Sequence, residues 1–520
     1  LNYRILAIVA VATVAATAAR QVVPGPATGT FIGPSSSQPP YVVPTSEGWT
    51  VTSLITAGDA VGVSHYVMAG LPDGLGALAG RAGSGGAFEA AADFITVLLN
   101  HEMPADAGGA RAHGQTGAFV SEWVIELDSL RVVAGADLIR EVYLWNGSTH
   151  VLSSGPATAF SRFCSATLAD RSAFSSPWGL RGTTDRLFLN GEEVAEGRAF
   201  AHVVSGSRRG ESYQLPFLGR IAFENVVASP NAGAATVVVA LDDSSPGQVY
   251  VYIGDKRRDG TLLQRAGLED GRLYGIKVTD GGTGYGNGPV PFESNGAING
   301  RFTLESVTDV ATGSGAGLQA TSRARGITEF ARPEDGHWDT RNSRVFYFAT
   351  TGAAVATPPG APQSQSARLY KLTFDTWPRP TGGRIEVVVD SASLTGRDGQ
   401  PARSFDNLVV DGSGRIVVQE DPGASSYLAK IWRINPARPS EAEQIAHADP
   451  ARFLSGSQFL TQQEEHSGVI EITSFVKGAR WYQLGRRYYL ADTMAHYPLA
   501  SPMVEGGQLY LISSRLLAGR

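Results

Sequence analysis

The chain has 520 residues, 42% hydrophobic and 18% charged, which is enough apolar material for a large core and too much for a disordered chain. Its formal charge of -6 is spread without a basic run, so neither nucleic acid nor an anionic membrane surface is an evident partner. The 62 glycines and 28 prolines fall between short apolar runs, as turns between many strands require.

Residues 1–20 place one positive charge, Arg4, ahead of an apolar stretch that ends in small residues. This is the layout of a secretory signal peptide and predicts a periplasmic or secreted protein with no other membrane segment. Residues 21–47, rich in Pro, Ser, Gly and Thr, read as an extended leader, and residues 48–520 as one catalytic domain. Cys164 is the only cysteine, so no intrachain disulfide holds the fold. From Trp49 onward short runs of strand composition recur, among them Phe94 to Leu99, Phe119 to Leu127, Thr236 to Leu241, Arg368 to Phe374, Lys430 to Ile434, Trp481 to Leu490 and Gln508 to Ser513. Val410 to Arg415 reads as a hairpin turn, and clear amphipathic helices are hard to find. Strands along the whole length, with no linker, predict an all-β chain folded as a single β-propeller of six or seven blades with long loop insertions. The glycine-rich stretch Gly281–Gly288 lacks the Lys-Ser/Thr of a phosphate loop and reads as a plain loop.

Polar clusters sit at the ends of these runs: Asn100-His101-Glu102, Arg111-Ala112-His113, Glu192-Glu193, Glu224-Asn225, Glu420-Asp421, Glu464-Glu465-His466 and Ala495-His496. In a propeller such ends converge on one face, and many carboxylates brought together repel unless cations intervene. The stretch Ala331 to Asp339, Ala-Arg-Pro-Glu-Asp-Gly-His-Trp-Asp, reads as a loop in which a guanidinium, carboxylates and an imidazole crowd one turn. Carboxylates with a His can hold a divalent cation, and an Arg beside them can clamp a phosphate.

Taken in order, Asn100-His101-Glu102, Cys164, Ser176-Pro177-Trp178-Gly179 with Gly191-Glu192-Glu193, Gly219-Arg220 with Glu224, Gly254-Asp255-Lys256, Arg332-Pro333-Glu334-Asp335 and Asp406-Asn407-Leu408 with Glu420-Asp421 resemble the PhoX-type (DUF839) proteins. These are bacterial exported β-propellers that include calcium- and iron-dependent alkaline phosphatases. The resemblance implies metal ligation by Cys164, Glu193, Glu224 and Glu334, with Arg332 and Glu334 catalytic. Here Cys164 lies farther upstream of Pro-Trp-Gly than in the phosphatases, and Gly191 stands where they have a second Cys. The Gly70-to-Ala77, Arg111-Ala112-His113-Gly114 and Glu464-to-Gly468 blocks are similar to an offshoot, the exported haloalkylphosphorus hydrolases of sphingomonads, which are phosphotriesterases with a two-metal centre.

The expected function is therefore an exported metal-dependent hydrolase of a small phosphoester, a triester or related ester, in which a metal-activated water attacks phosphorus. Its candidate ligands are Glu193, Glu224, Glu334, Glu420, Glu465, His101, His496 and Cys164, holding two or more Mn, Fe or Ca ions. Arg332, His113 and His337 are the candidate substrate-binding residues. The alternatives are a PhoX-like alkaline phosphatase acting on monoesters, a lactonase-type hydrolase, and a non-catalytic calcium-binding propeller.

Overall fold

A computed structural model of the chain describes residues 28–82, 88–89, 91–282, 286, 288–293, 296, 298–352 and 366–515. The predicted signal peptide, the start of the leader and part of the Gly281–Gly288 loop lie outside these residues. What is described is mostly β-strand, the class predicted.

The strand Thr50–Thr56 pairs antiparallel with Glu505–Ser513, so segments from both ends of the described chain share one sheet with Tyr488–Pro498. A four-stranded sheet holds Pro72–Ala79, Phe94–His101, Phe119–Glu126 and Arg131–Asp137. A sixteen-stranded sheet takes up the middle of the chain, and a five-stranded sheet gathers Val42–Pro44 with four strands between Phe405 and Ala448. Among the described residues no sheet closes on itself.

The cores lie between sheets, and strands buried on both faces read as continuous apolar runs. In Phe94–His101, Ile95, Val97 and Leu99 pack with Trp123, Leu509 and Leu511. Leu98, on the other face, joins Val120, Phe163, Phe188 and Phe200. Burial of each such side chain contributes about 1.5–3 kcal/mol relative to exposure.

Six segments make a ring of contacts that positions the site. Pro72–Ala79 touches Thr167–Leu168, which touches Arg220–Ala228; the ring continues through Pro333–Trp338, Phe405–Val410 and Val469–Glu471 and returns to Pro72–Ala79.

Four expectations need correction. The described part of the predicted leader does not stand apart from the domain: Gly29–Ile32 pairs with Thr50–Thr56 and Val42–Pro44 with Glu443–Ala448, and Tyr41 and Val42 are buried. Ala331 to Asp339 is no loop, because Pro333–Trp338 is itself a strand against Val345–Thr350. Proline is tolerated as the first residue of a strand, and Gly336 is needed because a Cβ there would lie 2.4 Å from the Phe346 ring. The strand expected at Trp481 to Leu490 begins only at Tyr488 and runs on to Pro498. Finally, four short helices interrupt the β pattern among the described residues, including Leu262–Ala266, with a Thr261–Gln264 capping box, and Gly315–Ala324, capped by Ser314.

Candidate metal and active site

Each segment of the ring carries an acidic or thiol side chain within it or just ahead of it: Asp73, Cys164, Glu224, Glu334, Asp406 and Glu465. Ligand-type atoms of Asp73, Glu102 and Cys164 lie within 4.8 Å of one another, as do those of Cys164, Glu193 and Glu224, and those of Glu224, Glu334 and Asp406. Cys164 and Glu224 are shared, so the three groups form one continuous cluster. It is buried: Asp73 is 0%, Glu224 1% and Glu334 2% exposed. Strand alternation sorts neighbours to opposite sides. Glu334 faces the cluster, whereas Asp335 accepts hydrogen bonds from Asn225 Nδ2 (2.6 Å) and Leu408 N (3.0 Å). Glu193 joins the cluster, whereas Glu192 is held by Arg198 through bonds of 2.6 and 2.8 Å.

Two arginines border the cluster, and both hold left-handed backbone, Arg162 at φ 47° and Arg332 at φ 59°. That conformation costs a non-glycine residue about 1–3 kcal/mol and persists only where neighbours impose it. For Arg162 the neighbours are Met103, whose carbonyl accepts the Arg162 N–H, and Glu193, whose N–H donates to the Arg162 carbonyl. Arg162 Nη2 lies 2.5 Å from both Glu102 Oε1 and Glu193 Oε2. Arg332 donates to both Asp243 oxygens at 2.9 and 2.7 Å and lies 3.1 Å from Glu334 Oε1. Both guanidiniums remain partly open to solvent, at 44% and 32% side-chain exposure. His496 is a third cation, with Nδ1 2.7 Å from Glu505 and Nε2 3.7 Å from Glu465.

These cations do not balance the acids. Burial, and then the charges of Glu334, Asp73 and Glu193, push Glu224 well above the usual carboxylate range. Burial followed by neighbouring carboxylates does the same to Asp73, Glu193 and Asp406. Burial and then Asp243 raise Glu334 against the pull of Arg332. The Cys164 thiol, which donates to Asp73 Oδ2 at 3.1 Å, is raised by burial and then by Asp73. Glu465 moves the other way: burial opposes its ionisation, but His496 brings it below its usual value. Burial would lower His496, yet Glu465 and Glu505 raise it to about 10.

The residues fit a bound cation. Glu224 Oε1 and Asp406 Oδ1 are buried without a hydrogen-bond donor, a state that costs about 1–3 kcal/mol per group and more when it is charged. Carboxylates suit hard cations, and a single thiol among them suits a transition metal.

Of the predicted site residues, Cys164, Glu193, Glu224 and Glu334 come together, with Arg332, Glu465 and His496 beside them. Four do not join. His101 has both ring nitrogens engaged, Nδ1 with Gly70 O and Nε2 with Ser121 Oγ, each at 2.8 Å. Glu420 is saturated by Tyr427, Trp432 and the backbone of Arg403 and Lys430. His113 packs on the Phe160 ring. His337 lines a separate cavity with Asp335 and Trp338. In one case the neighbour takes the place, Glu102 for His101; next to Glu420, burial and then Glu465 raise Asp421 to about 7. Sequence reasoning also missed Asp73, Asp243, Asp406 and Arg162 as site residues. Asp73 and Asp406 lie inside blocks that carry the resemblance, but nothing in those blocks singles them out as ligands; Asp243 sits in the hairpin between Ala235–Asp242 and Gly247–Asp255, and Arg162 is marked only by closeness to Cys164. At Gly191 a Cβ would lie 2.4 Å from that of Phe223, which leaves no room for a side chain there.

The clustered carboxylates and single thiol, with arginines beside them, form a donor set suited to metal ions. The family model for alkaline phosphatase PhoX matches residues 196–473, more than half of the sequence, and the chain belongs to that family of phosphoester hydrolases. Among solved structures, Pseudomonas fluorescens PhoX in complex with vanadate, a transition state analogue, is similar at a TM-score of 0.61 and 12% identity, covering 91% of this chain and 96% of that one. This likeness bears on the fold. A putative 6-phosphogluconolactonase from Bacteroides uniformis reaches a TM-score of 0.28 at 10% identity, covering 70% of this chain and 82% of that one. No curated protein matches the chain. Among the described residues no helix is long and apolar enough to cross a membrane.

Proposed function

We propose that the chain is an exported, metal-dependent phosphoester hydrolase built as a six-bladed β-propeller, acting on esters that keep at least one anionic phosphoryl oxygen. The blade number is supported by the six-segment contact ring and by the pairing of Thr50–Thr56 with Glu505–Ser513. Export is supported by the character of residues 1–20 and by family membership. The observation that carries the reading is the continuous cluster of buried acids, with orphaned oxygens on Glu224 and Asp406.

Asp73, Glu102, Cys164, Glu193, Glu224, Glu334 and Asp406 would hold the metal ions. When bound, such ions polarise a phosphoryl oxygen and lower the pKa of water. The chain's own part is to orient the ester and neutralise its charge. Arg332 is fixed by Asp243 and Glu334, and Arg162 by Glu102 and Glu193. Each keeps N–H groups open toward solvent that can donate to non-bridging oxygens, the bonds that strengthen as charge develops in the transition state. Burial of the carboxylates excludes bulk water and strengthens these contacts. Glu465 and Glu505 keep His496 protonated, adding a third positive group at the rim. Three cations fit an anionic substrate better than a neutral triester, so the monoester reading moves ahead of the triester one.

The test compares chromogenic phosphate mono-, di- and triesters on the purified protein. Monoester kcat/KM that falls at least about tenfold in Arg162→Ala, with kcat falling as well, is expected. Faster turnover of a neutral triester, unaffected by that substitution, would return the triester reading to first place.

A further inference from the structure

A cavity of about 550 Å³ lies away from the acidic cluster and is lined by Arg397, Arg415, Arg433 and Arg515 together with Ser46 and Glu443. Pairing registers explain why it is basic. Arg433 and Glu443 are cross-strand partners in Lys430–Ile434 and Glu443–Ala448, and Arg415 ends the hairpin turn that begins at Asp411. Arg397 arrives on a separate loop, its backbone N–H donating to Gln444 Oε1 at 2.8 Å and its Nη2 to Ser46 Oγ at 3.2 Å.

Carboxylates meet only part of this charge. Arg433 lies 3.1 Å from Asp411 and Arg515 lies 3.7 Å from Glu443. Glu441, which also lines the cavity, lies 3.3 Å from Arg438. Arg397 and Arg415 have no carboxylate within 4.0 Å among the described residues. Arg433 is the telling residue, because it is only 4% exposed and its Nε–H has no acceptor. A buried charged donor without a partner is costly. Asp411 is itself fully engaged, accepting from Tyr489 Oη, Ser413 N and Arg415 N, so it fixes Arg433 in place and cannot satisfy it further.

We propose that this cavity is a second anion site, which binds a small oxyanion of the phosphate or carboxylate type through Arg397, Arg415 and Arg433. Guanidinium forks match both anions in geometry, and two of the three forks are unopposed. The site is separate from the one that cleaves esters, and its occupancy requires none of the clustered acids.

The experiment follows thermal stability of the metal-loaded full chain during titration with inorganic phosphate and, separately, succinate, a weakly chelating dicarboxylate. The wild type is compared with Arg397→Ala/Arg415→Ala and with Arg433→Met. A stabilising shift with at least one of the two anions is expected, and the double variant should need about tenfold or more anion for the same shift. Its KM for ester and its competitive inhibition by phosphate should stay unchanged, which separates this site from the catalytic one. A response to phosphate alone would identify phosphate-type ligands and a response to succinate alone carboxylates. Equal shifts in wild type and double variant, or no shift with either anion, would overturn the proposal, and because Arg397 and Arg415 lie at the surface of the cavity the test survives a misfolded Arg433→Met.

Discussion

Glu224 shows why this site calls for cations. Its carboxyl is shared between two of the three ligand groups, and one of its oxygens has no donor. Without metal its ionised form is opposed by burial and by at least three other acids. Glu224→Gln keeps the shape and removes the charge, and the new amide N–H can donate to Glu334, Asp406 or Cys164. Two opposite effects are expected. Ester hydrolysis should fall about 10–100-fold or more, while the metal-stripped variant should melt at a higher temperature than metal-stripped wild type at pH 8, because one repulsive charge is gone. Calorimetry beside a kcat measurement checks both, and a fully active variant would remove Glu224 from the site. Replacing Glu192, which Arg198 holds outside the cluster, should not reproduce the stabilisation.

At the scale of elements, what could be read from sequence and what could not follow from burial. Apolar runs such as Lys430–Ile434 and Arg368–Phe374 begin and end where expected, because β-branched and aromatic residues fill both faces of an inner strand. Pro72–Ala79, of sequence Pro-Asp-Gly-Leu-Gly-Ala-Leu-Ala, was not expected as a strand. Its glycines mimic a turn, and they are there because a Cβ at Gly74 would meet the backbone of Ser165 and Ala166 at 2.3–2.5 Å. The same crowding that hid the strand brings Asp73 against Cys164. The Arg-Pro-Glu stretch carries chemical residue types but looks like a loop, since Pro and Gly signal turns locally while tertiary packing makes Pro333–Trp338 a strand. For the site, residue type was legible and exact position was not. Whether His101 or Glu102, Glu192 or Glu193, faces inward is decided by strand register, and pairing partners are not written in any single segment.

For the molecule as a whole, buried histidines set the acid limit. Burial lowers His101, His202 and His466 to about 3 each, against about 6.5 in an unfolded chain. Between those values the unfolded state binds protons that the folded state refuses. The stability these residues contribute is therefore present above about pH 6.5 and is lost as pH falls toward 3. The acidic cluster has the opposite sign in metal-free protein: its raised carboxyls favour folding at low pH and cost stability as pH rises through their folded values. Melting temperature of metal-loaded protein should thus decline steadily below pH 6.5. His202→Gln, which can keep a donor toward Asn190 Oδ1, should reduce the slope by about one proton. An unchanged slope would show that His202 titrates normally in the fold.

In the proposed function, seven ligand groups between Asp73 and Asp406 would hold the metal ions on which phosphoester cleavage depends. The direct measurement is elemental analysis of purified protein, before and after chelation, paired with hydrolysis of a phosphate monoester and repeated on Glu224→Gln/Asp406→Asn. About two or more ions per chain are predicted, lost together with activity on chelation, restored by adding metal back, and reduced in the double variant. Protein that cleaves the ester at full rate with no bound metal, or a double variant that keeps both its ions and its rate, would contradict the account.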